Sequence, residues 1–152
     1  MIRLIGEFFK LCKEDEDYEM YKAIGYDEDE ESYSLHINFD LDGAKTLKSK
    51  FETALNEGKS TITVDENSFL EEGKTINELV IISKTPPIDG EIYEFDYNSK
   101  TVTLKMINCV VDDCMHKFND CIEGGEYFPD EICDADYKDT EISIYGVFKP
   151  EI

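Results

Sequence analysis

The chain has few of the groups that grip phosphate, since only one of its 15 basic residues, Arg3, is an arginine. Phosphate and carboxylate substrates are usually held by the bidentate fork of an arginine. The scarcity of arginine therefore disfavours an enzyme that acts on anionic substrates. Charge of the other sign is abundant, because 36 acids leave a formal net charge of -21. Such a field repels nucleic acid and anionic membranes, and it attracts basic proteins.

Long apolar segments and cofactor motifs are also missing. No run of about 18 apolar residues occurs, so no membrane-spanning helix is predicted. Residues 1–13 do not resemble a signal peptide, because Glu7 and Lys10 interrupt the apolar run and no small-residue cleavage site follows. Five cysteines without an export signal favour a reduced, cytoplasmic protein. Neither a P-loop nor a dinucleotide fingerprint is present, and no cofactor is expected.

Length and periodicity predict an α+β fold. A chain of 152 residues suits a single globular domain, here 1–152. Helical spacing predicts a helix over 2–13, and strict alternation predicts a strand over 33–41. Asp42 is predicted to cap a second helix that ends at Gly58. With the later segments, this gives a mainly antiparallel sheet of about five to six strands packed with two or three helices.

The densest chemical motif is CVVDDCMHKFNDC, Cys109–Cys121, with three cysteines and one of the two histidines. Zinc ligands must converge on one point. As a helix, however, the segment places Cys114 and Cys121 on its apolar face and His116 on the opposite side, at about 100° per residue. A buried free cysteine behaves as a small hydrophobe. The segment is therefore predicted to be a core helix, with no metal or redox site.

Two acidic motifs share features with calcium-binding loops. NFDLDG, Asn38–Gly43, matches the start of an EF-hand loop, but Ser49 stands where the bidentate glutamate belongs. The end of a strand followed by an N-capped helix explains the same residues. A small calcium-binding module stays an alternative. DADYKDTE, Asp134–Glu141, lacks both the third ligand and the glycine, and it is predicted to be a solvated acidic loop.

The histidines offer one further enzymatic hypothesis. Alternation places Ser34 and His36 on the same polar strand face, as a nucleophile and its base would need. No glycine-flanked nucleophile elbow and no orienting third group are visible in the sequence. A hydrolase that uses His36 is therefore a further alternative, and no catalytic residue is assigned.

The remaining feature is acid interleaved with aromatics. Residues 1–31 carry eleven acids and four bases, and residues 108–141 carry eleven acids and two bases. Tyrosines can anchor a partner while carboxylates steer a basic protein towards the surface. Solvated loops whose aromatics anchor them to the core are the alternative explanation. The predicted partner-binding residues are Asp17, Tyr18, Tyr21, Tyr26, Asp27, Glu28, Asp29, Glu30, Glu31, Tyr33, Tyr127, Asp130, Glu131, Asp134, Asp136, Tyr137 and Asp139.

Tyrosine-flanked acid runs such as GYDEDEESY, in a small acidic α+β protein, resemble those of bacterial immunity proteins that neutralise nuclease toxins. The resemblance covers the acidic segments and the general build, and it assigns no residue a role. It implies a non-enzymatic inhibitor that binds a basic protein, a toxin nuclease or nucleic-acid enzyme, with no direct binding of nucleic acid or membrane. A DNA mimic of the anti-restriction or anti-CRISPR type is the alternative, and it requires carboxylates in regular rows.

Overall fold

The computed structural model describes residues 1–10, 14, 16–25, 31–86, 93–124 and 130–150, with the backbone alone for residues 9, 10, 31 and 130. The described helices are α1 Tyr18–Ala23, α2 Leu41–Glu57 and α3 Asn108–Ile122. The described strands are β1 Ile2–Lys10, β2 Glu31–Phe39, β3 Lys59–Thr63, β4 Phe69–Glu71, β5 Lys74–Thr75, β6 Glu78–Lys84, β7 Glu94–Asn98, β8 Thr101–Ile107, β9 Asp130–Tyr137 and β10 Thr140–Phe148.

The strands form two sheets, and the α+β class is confirmed. The large sheet has six strands in the order β5-β4-β1-β2-β10-β9, and the small sheet has four in the order β3-β6-β8-β7. Most neighbouring pairs are antiparallel, but β1 with β4, β2 with β10 and β6 with β8 run parallel. Strands from both ends of the chain therefore meet at the centre of the large sheet.

The first segment is a strand, so the helix predicted over 2–13 is wrong for residues 2–10, and residues 11–13 lie outside the described part. Ile2, Leu4 and Gly6 are buried, which is a period of two. β1 pairs with β2 along its whole length, from Ile2 opposite Phe39 to Lys10 opposite Glu31. This ladder joins segments far apart in the chain, and it overrides the local helical spacing.

The acidic segment predicted as a loop at 134–141 is also wrong, because it forms the hairpin of β9 and β10. Cys133 and Ala135 point into the core, whereas Asp134 and Asp136 are exposed. Lys138 and Asp139 form the turn with φ of 51° and 62°, the positive values that a tight two-residue hairpin turn needs. The acids of this segment are therefore held at fixed spacing.

Helix α2 begins two residues earlier than predicted. Asp40, not Asp42, is the N-cap residue, and its carboxylate accepts a hydrogen bond from the backbone N–H of Gly43 at 2.8 Å. Leu41, predicted as the last strand residue, opens the helix and is exposed. The helix ends at Gly58, as predicted, in the left-handed conformation with φ of 90°.

The core lies where α2 and α3 pack against each other and against both sheets. The ring of Phe118 on α3 meets Phe51 of α2 edge-on at 5.0 Å and Phe39 of β2 edge-on at 5.4 Å. All three side chains are fully buried. Among the described residues, no helix is long and apolar enough to cross a membrane.

At Gly6 of β1, the backbone of the neighbouring strand β4 lies very close. A Cβ atom at Gly6 would lie 1.9 Å from the backbone oxygen of Leu70 in β4. We expect Gly6→Ala to lower the free energy of unfolding by about 1–3 kcal/mol, because backbone must move to make room. Urea denaturation measures this. Gly73→Ala, where a Cβ meets open space but φ is 79°, measures backbone strain without crowding, and a Gly6→Ala protein as stable as the wild type would contradict the packing explanation.

Candidate functional site on the outer face of the large sheet

Strand alternation sorts the predicted partner-binding residues on β2 and β9 onto opposite faces. Tyr33 is 8% exposed, and its ring lies 4.8 Å from Phe8 and 5.2 Å from Tyr137. Tyr137 in turn meets Phe95 of the small sheet edge-on at 5.4 Å. These tyrosines therefore join the two sheets, and the buried Tyr33 is not available to a partner.

The acids of the same strands face the other way, onto what we call the outer face. The strand register places one residue from each of four strands in a central row of this face. Glu7 of β1 lies opposite Ser34 of β2, and Ser34 lies beside Ser143 of β10. Ser143 in turn lies opposite Asp134 of β9. The carboxylates of Glu7 and Asp134 thus lie on either side of the two serine hydroxyls. Three strand spacings separate these two acids, a distance of about 14 Å.

Two neighbouring rows extend the outer face. In one, Ile5, His36, Tyr145 and Glu131 are register partners, and the rings of His36 and Tyr145 meet edge-on at 5.4 Å. In the other, Glu141 lies opposite Asp136. Asp134 and Asp136 are two residues apart on one strand, so they are spaced by about 7 Å. Four exposed carboxylates therefore stand on one side of the face.

Four of the outer-face acids, Glu7, Asp134, Asp136 and Glu141, form no ion pair inside the described part of the chain. Ion pairs there engage acids elsewhere, such as Asp65 with Arg3 and Glu94 with Lys105. The negative field of this face is therefore open to an outside cation.

A concave pocket of about 470 Å³ lies over the central row. Serine hydroxyls, a carboxylate and a phenol line it, from Ser32, Ser34, Ser143, Glu7 and Tyr145. Phe8 and Tyr33 complete the lining, and their ring centres lie 4.8 Å apart. Small side chains at the centre of the sheet leave the hollow, and larger or charged ones form its rim.

The sequence did not reveal this pocket. Alternation correctly predicts that Ser34 and His36 share a polar strand face, but the spacing of residues 2–13 predicts a helix at Glu7. Ser143 and Tyr145 lie more than a hundred residues from Ser34, and parallel pairing alone brings them together. The sequence contains one signal for the outward position of Ser143 and Tyr145. It is the alternation along residues 141–147, in which Ile142 and Ile144 face inward.

The other predicted segment, around α1, is only partly described. Asp17 is the exposed N-cap residue of α1, and none of the helix's residues is buried. Lys22 lies 5.4 Å from the ring centre of Tyr18. Tyr18 and Tyr21 are half-buried. The predicted partner-binding residues Tyr26, Asp27, Glu28, Asp29, Glu30 and Tyr127 lie outside the described residues, as do the side chains of Glu31 and Asp130.

Helix α3 carries the cysteines as predicted. Cys114 and Cys121 are 2% exposed, whereas Cys109 is exposed and His116 points outward, 3.5 Å from Asp112. Burial raises the pKa of a further core thiol, Cys133, to about 12. Such thiols are poor nucleophiles and poor metal ligands. Across the described ranges, no group of three histidine, cysteine or acidic side chains converges as a metal site.

The start of the predicted calcium loop is a helix cap. The Asp40 carboxylate accepts from the N-terminal ammonium at 2.5 Å as well as from Gly43, and the ammonium contact chiefly lowers its pKa. Asn38 belongs to β2, and Asp42 is exposed in the first helical turn. Ser34 and His36 share the outer face, but no hydrogen bond joins them among the contacts of the described residues.

The two edges of the large sheet are tied together at one end. Glu71 of β4 accepts hydrogen bonds from Tyr137 Oη at 2.8 Å and from Lys138 Nζ at 3.0 Å, and its ion pair with Lys74 measures 2.8 Å. Lys74 also donates to Tyr137 Oη at 2.9 Å. Because β4–β5 and β9 are opposite edges, these contacts curl the sheet and fix the β9–β10 turn.

This cluster makes a pH-dependent contribution to stability. Lys74, then Lys138 and Tyr137, hold the pKa of Glu71 at about 2, below its ordinary 4.5. A carboxylate whose pKa is lower in the folded state than in the unfolded state stabilises the fold at pH values above the unfolded pKa. This stabilisation is lost as the pH falls towards the folded pKa. We expect Glu71→Gln to cost about 2 kcal/mol at pH 7, with the loss shrinking as pH falls from about 5 towards 2.

Urea denaturation of both proteins across this pH range tests the cluster. Glu72→Gln, at the exposed neighbouring position, is the control and should match the wild type at every pH. A difference between Glu71→Gln and wild type that does not change with pH would show that the Glu71 ion pairs do not stabilise the fold.

Comparisons with known proteins add little. No family model matches the chain, and no curated protein matches it. Among solved structures, Drosophila Suppressor of Fused is similar over 79% of this chain, with 12% sequence identity and a TM-score of 0.38. The match covers 25% of that protein, so the chain spans about a quarter of its length. A likeness at this level does not bear on function.

Proposed function

We propose that this chain is a non-enzymatic, cytoplasmic inhibitor that binds and neutralises a basic protein, a nuclease toxin or another nucleic-acid enzyme. The observation that supports this most is the outer face of the large sheet. Its carboxylates stand in register on rigid strands, and no ion pair of the described residues neutralises Glu7, Asp134, Asp136 or Glu141. The formal net charge of -21 strengthens their field.

A basic partner follows from the physics of that field. Carboxylates in a row raise the local concentration of cations and speed the association of a positively charged protein. Enzymes that hold nucleic acid carry lysine and arginine surfaces matched to phosphate. A rigid face of carboxylates is attracted to an enzyme of this kind, and it can dock beside the surface that holds nucleic acid. Neither nucleic acid nor an anionic membrane is expected to bind directly.

A DNA mimic is the second candidate, and one observation favours it. β9 is a strand, so Asp134 and Asp136 repeat at the regular spacing of about 7 Å that a rigid row of phosphate mimics needs. A mimic would compete directly with duplex DNA for the partner. An inhibitor that binds beside the active site would not be displaced by DNA.

A pull-down from a lysate of the native host tests the proposal. Immobilised wild-type protein should retain a protein of high isoelectric point at low salt and release it at high salt. Adding duplex DNA then separates the two candidates, because only a mimic is displaced. Retention of neutral or acidic proteins alone, unaffected by salt, would contradict both.

A further inference from the structure

The pocket on the outer face has a composition that suits one kind of side chain, and we propose that it binds an arginine of the basic partner. The proposal rests on the proposed function and names the group that the face recognises. The pocket joins a carboxylate, hydroxyl groups and an aromatic ring in one hollow of about 470 Å³. A second carboxylate, Asp134, closes the row on the far side.

The register supplies the geometry of recognition. Glu7 and Ser34 are cross-strand partners, so their Cβ atoms lie about 5 Å apart. Ser143 stands beside Ser34 on the next strand. A cation above these hydroxyls lies between the carboxylates of Glu7 and Asp134, which are in register at opposite ends of the row. Charge complementarity therefore selects a cationic side chain for the centre of the row.

Guanidinium fits this lining better than ammonium. Arginine presents five N–H donors in one plane, and the pocket offers carboxylate and hydroxyl oxygens as acceptors on several sides. Tyr145 lines the same pocket and gives the flat cation an aromatic surface to stack on, with His36 supporting its ring at 5.4 Å. Lysine, a compact and strongly hydrated ammonium, gains less from stacking or from a forked array of acceptors.

Two blocked peptides of equal length and charge, hexa-arginine and hexa-lysine, are the probes. Calorimetric titration at low ionic strength should show hexa-arginine binding about threefold to tenfold more tightly. Amide chemical shifts should move most at Ser34, Ser143 and Tyr145 when hexa-arginine is added. Equal affinity of the two peptides, or shifts centred elsewhere, would overturn the arginine pocket.

Variants connect the preference to the pocket. Glu7→Gln keeps the size of the side chain and removes its charge, and Ser143→Val fills the hollow with a residue that suits a strand. Each should reduce the ratio of the two affinities towards one, whereas Glu52→Gln on α2 should leave it unchanged. An unchanged ratio in Glu7→Gln, which does not depend on Ser143→Val folding, would overturn the proposal.

The outcomes also separate this inference from the function on which it rests. Equal binding of both peptides, lost with added salt, means that the acidic face attracts cations without an arginine pocket, so only the inference fails. Absence of binding by either peptide at low salt means that the face attracts no basic chain, and the proposed function fails with it.

Discussion

Replacing Phe118 by alanine is expected to lower the free energy of unfolding by about 3–5 kcal/mol, the largest loss for any single substitution considered. The Phe118 ring is fully buried and meets Phe51 at 5.0 Å and Phe39 at 5.4 Å, both edge-on. It joins the two long helices to the large sheet. Truncation removes buried apolar area and two aromatic contacts, and it leaves a cavity that rigid elements on three sides cannot close.

Urea denaturation of Phe118→Ala measures the loss, and His116→Ala is its matched control. His116 lies on the same helix but is exposed, so its removal should change stability by no more than about 0.5 kcal/mol. Comparable losses for the two variants would contradict the packing of α3 against the sheet described above.

Neutralising the acids of the β9–β10 hairpin is expected to have the largest effect on binding. The triple variant Asp134→Asn, Asp136→Asn and Glu141→Gln should slow association with the basic partner about tenfold at low ionic strength. These side chains are exposed on the outer face, and none is ion-paired among the described residues. The difference from wild type should narrow as salt is added, since salt screens exposed charges.

A second triple variant provides the control for net charge. Glu52→Gln, Glu57→Gln and Glu66→Gln remove the same number of exposed carboxylates from α2 and the turn after β3. Stopped-flow or surface-based kinetics with the partner captured from lysate compares the two variants. If both slow association equally, net charge alone attracts the partner, and the outer face has no special role.

Elements with strong local periodicity could be predicted from the sequence. β2 alternates strictly, α2 ends in a left-handed glycine, and the β7–β8 hairpin turns on Ser99 and Lys100 with φ of 52° and 65°. Helix α3 shows the predicted division between buried Cys114 and exposed His116. In each of these the pattern within one segment agrees with its final environment.

The two misassigned segments depend on partners that are distant in sequence. β1 carries Ile5, Phe8 and Phe9 at spacings that also suit a helix, and only its pairing with β2 and β4 selects the strand. β9 points small residues, Cys133 and Ala135, into the core, so its inward face gives a weak hydrophobic signal. Because Asp134 and Asp136 alternate with these small residues, the sequence of this segment looks like that of an acidic loop.

The candidate site was hidden for the same reason. The composition of the acidic segments predicts that their acids and tyrosines form one binding surface. Alternation instead sends Tyr33 and Tyr137 to the core side and Asp134 and Asp136 to the outer face. The pocket itself requires the register between β1, β2 and β10, because its lining residues come from three strands. No single segment contains that information.

Carboxyl footprinting of the complex with the captured basic partner is the most direct test of the proposed binding face. Carbodiimide labelling, read by mass spectrometry, reports which carboxylates become protected. We expect protection at Glu7, Asp134, Asp136 and Glu141, with unchanged labelling at Glu52 and Glu57 on α2. Protection confined to α2, with full labelling of the outer face, would contradict the binding of a basic partner at the outer face.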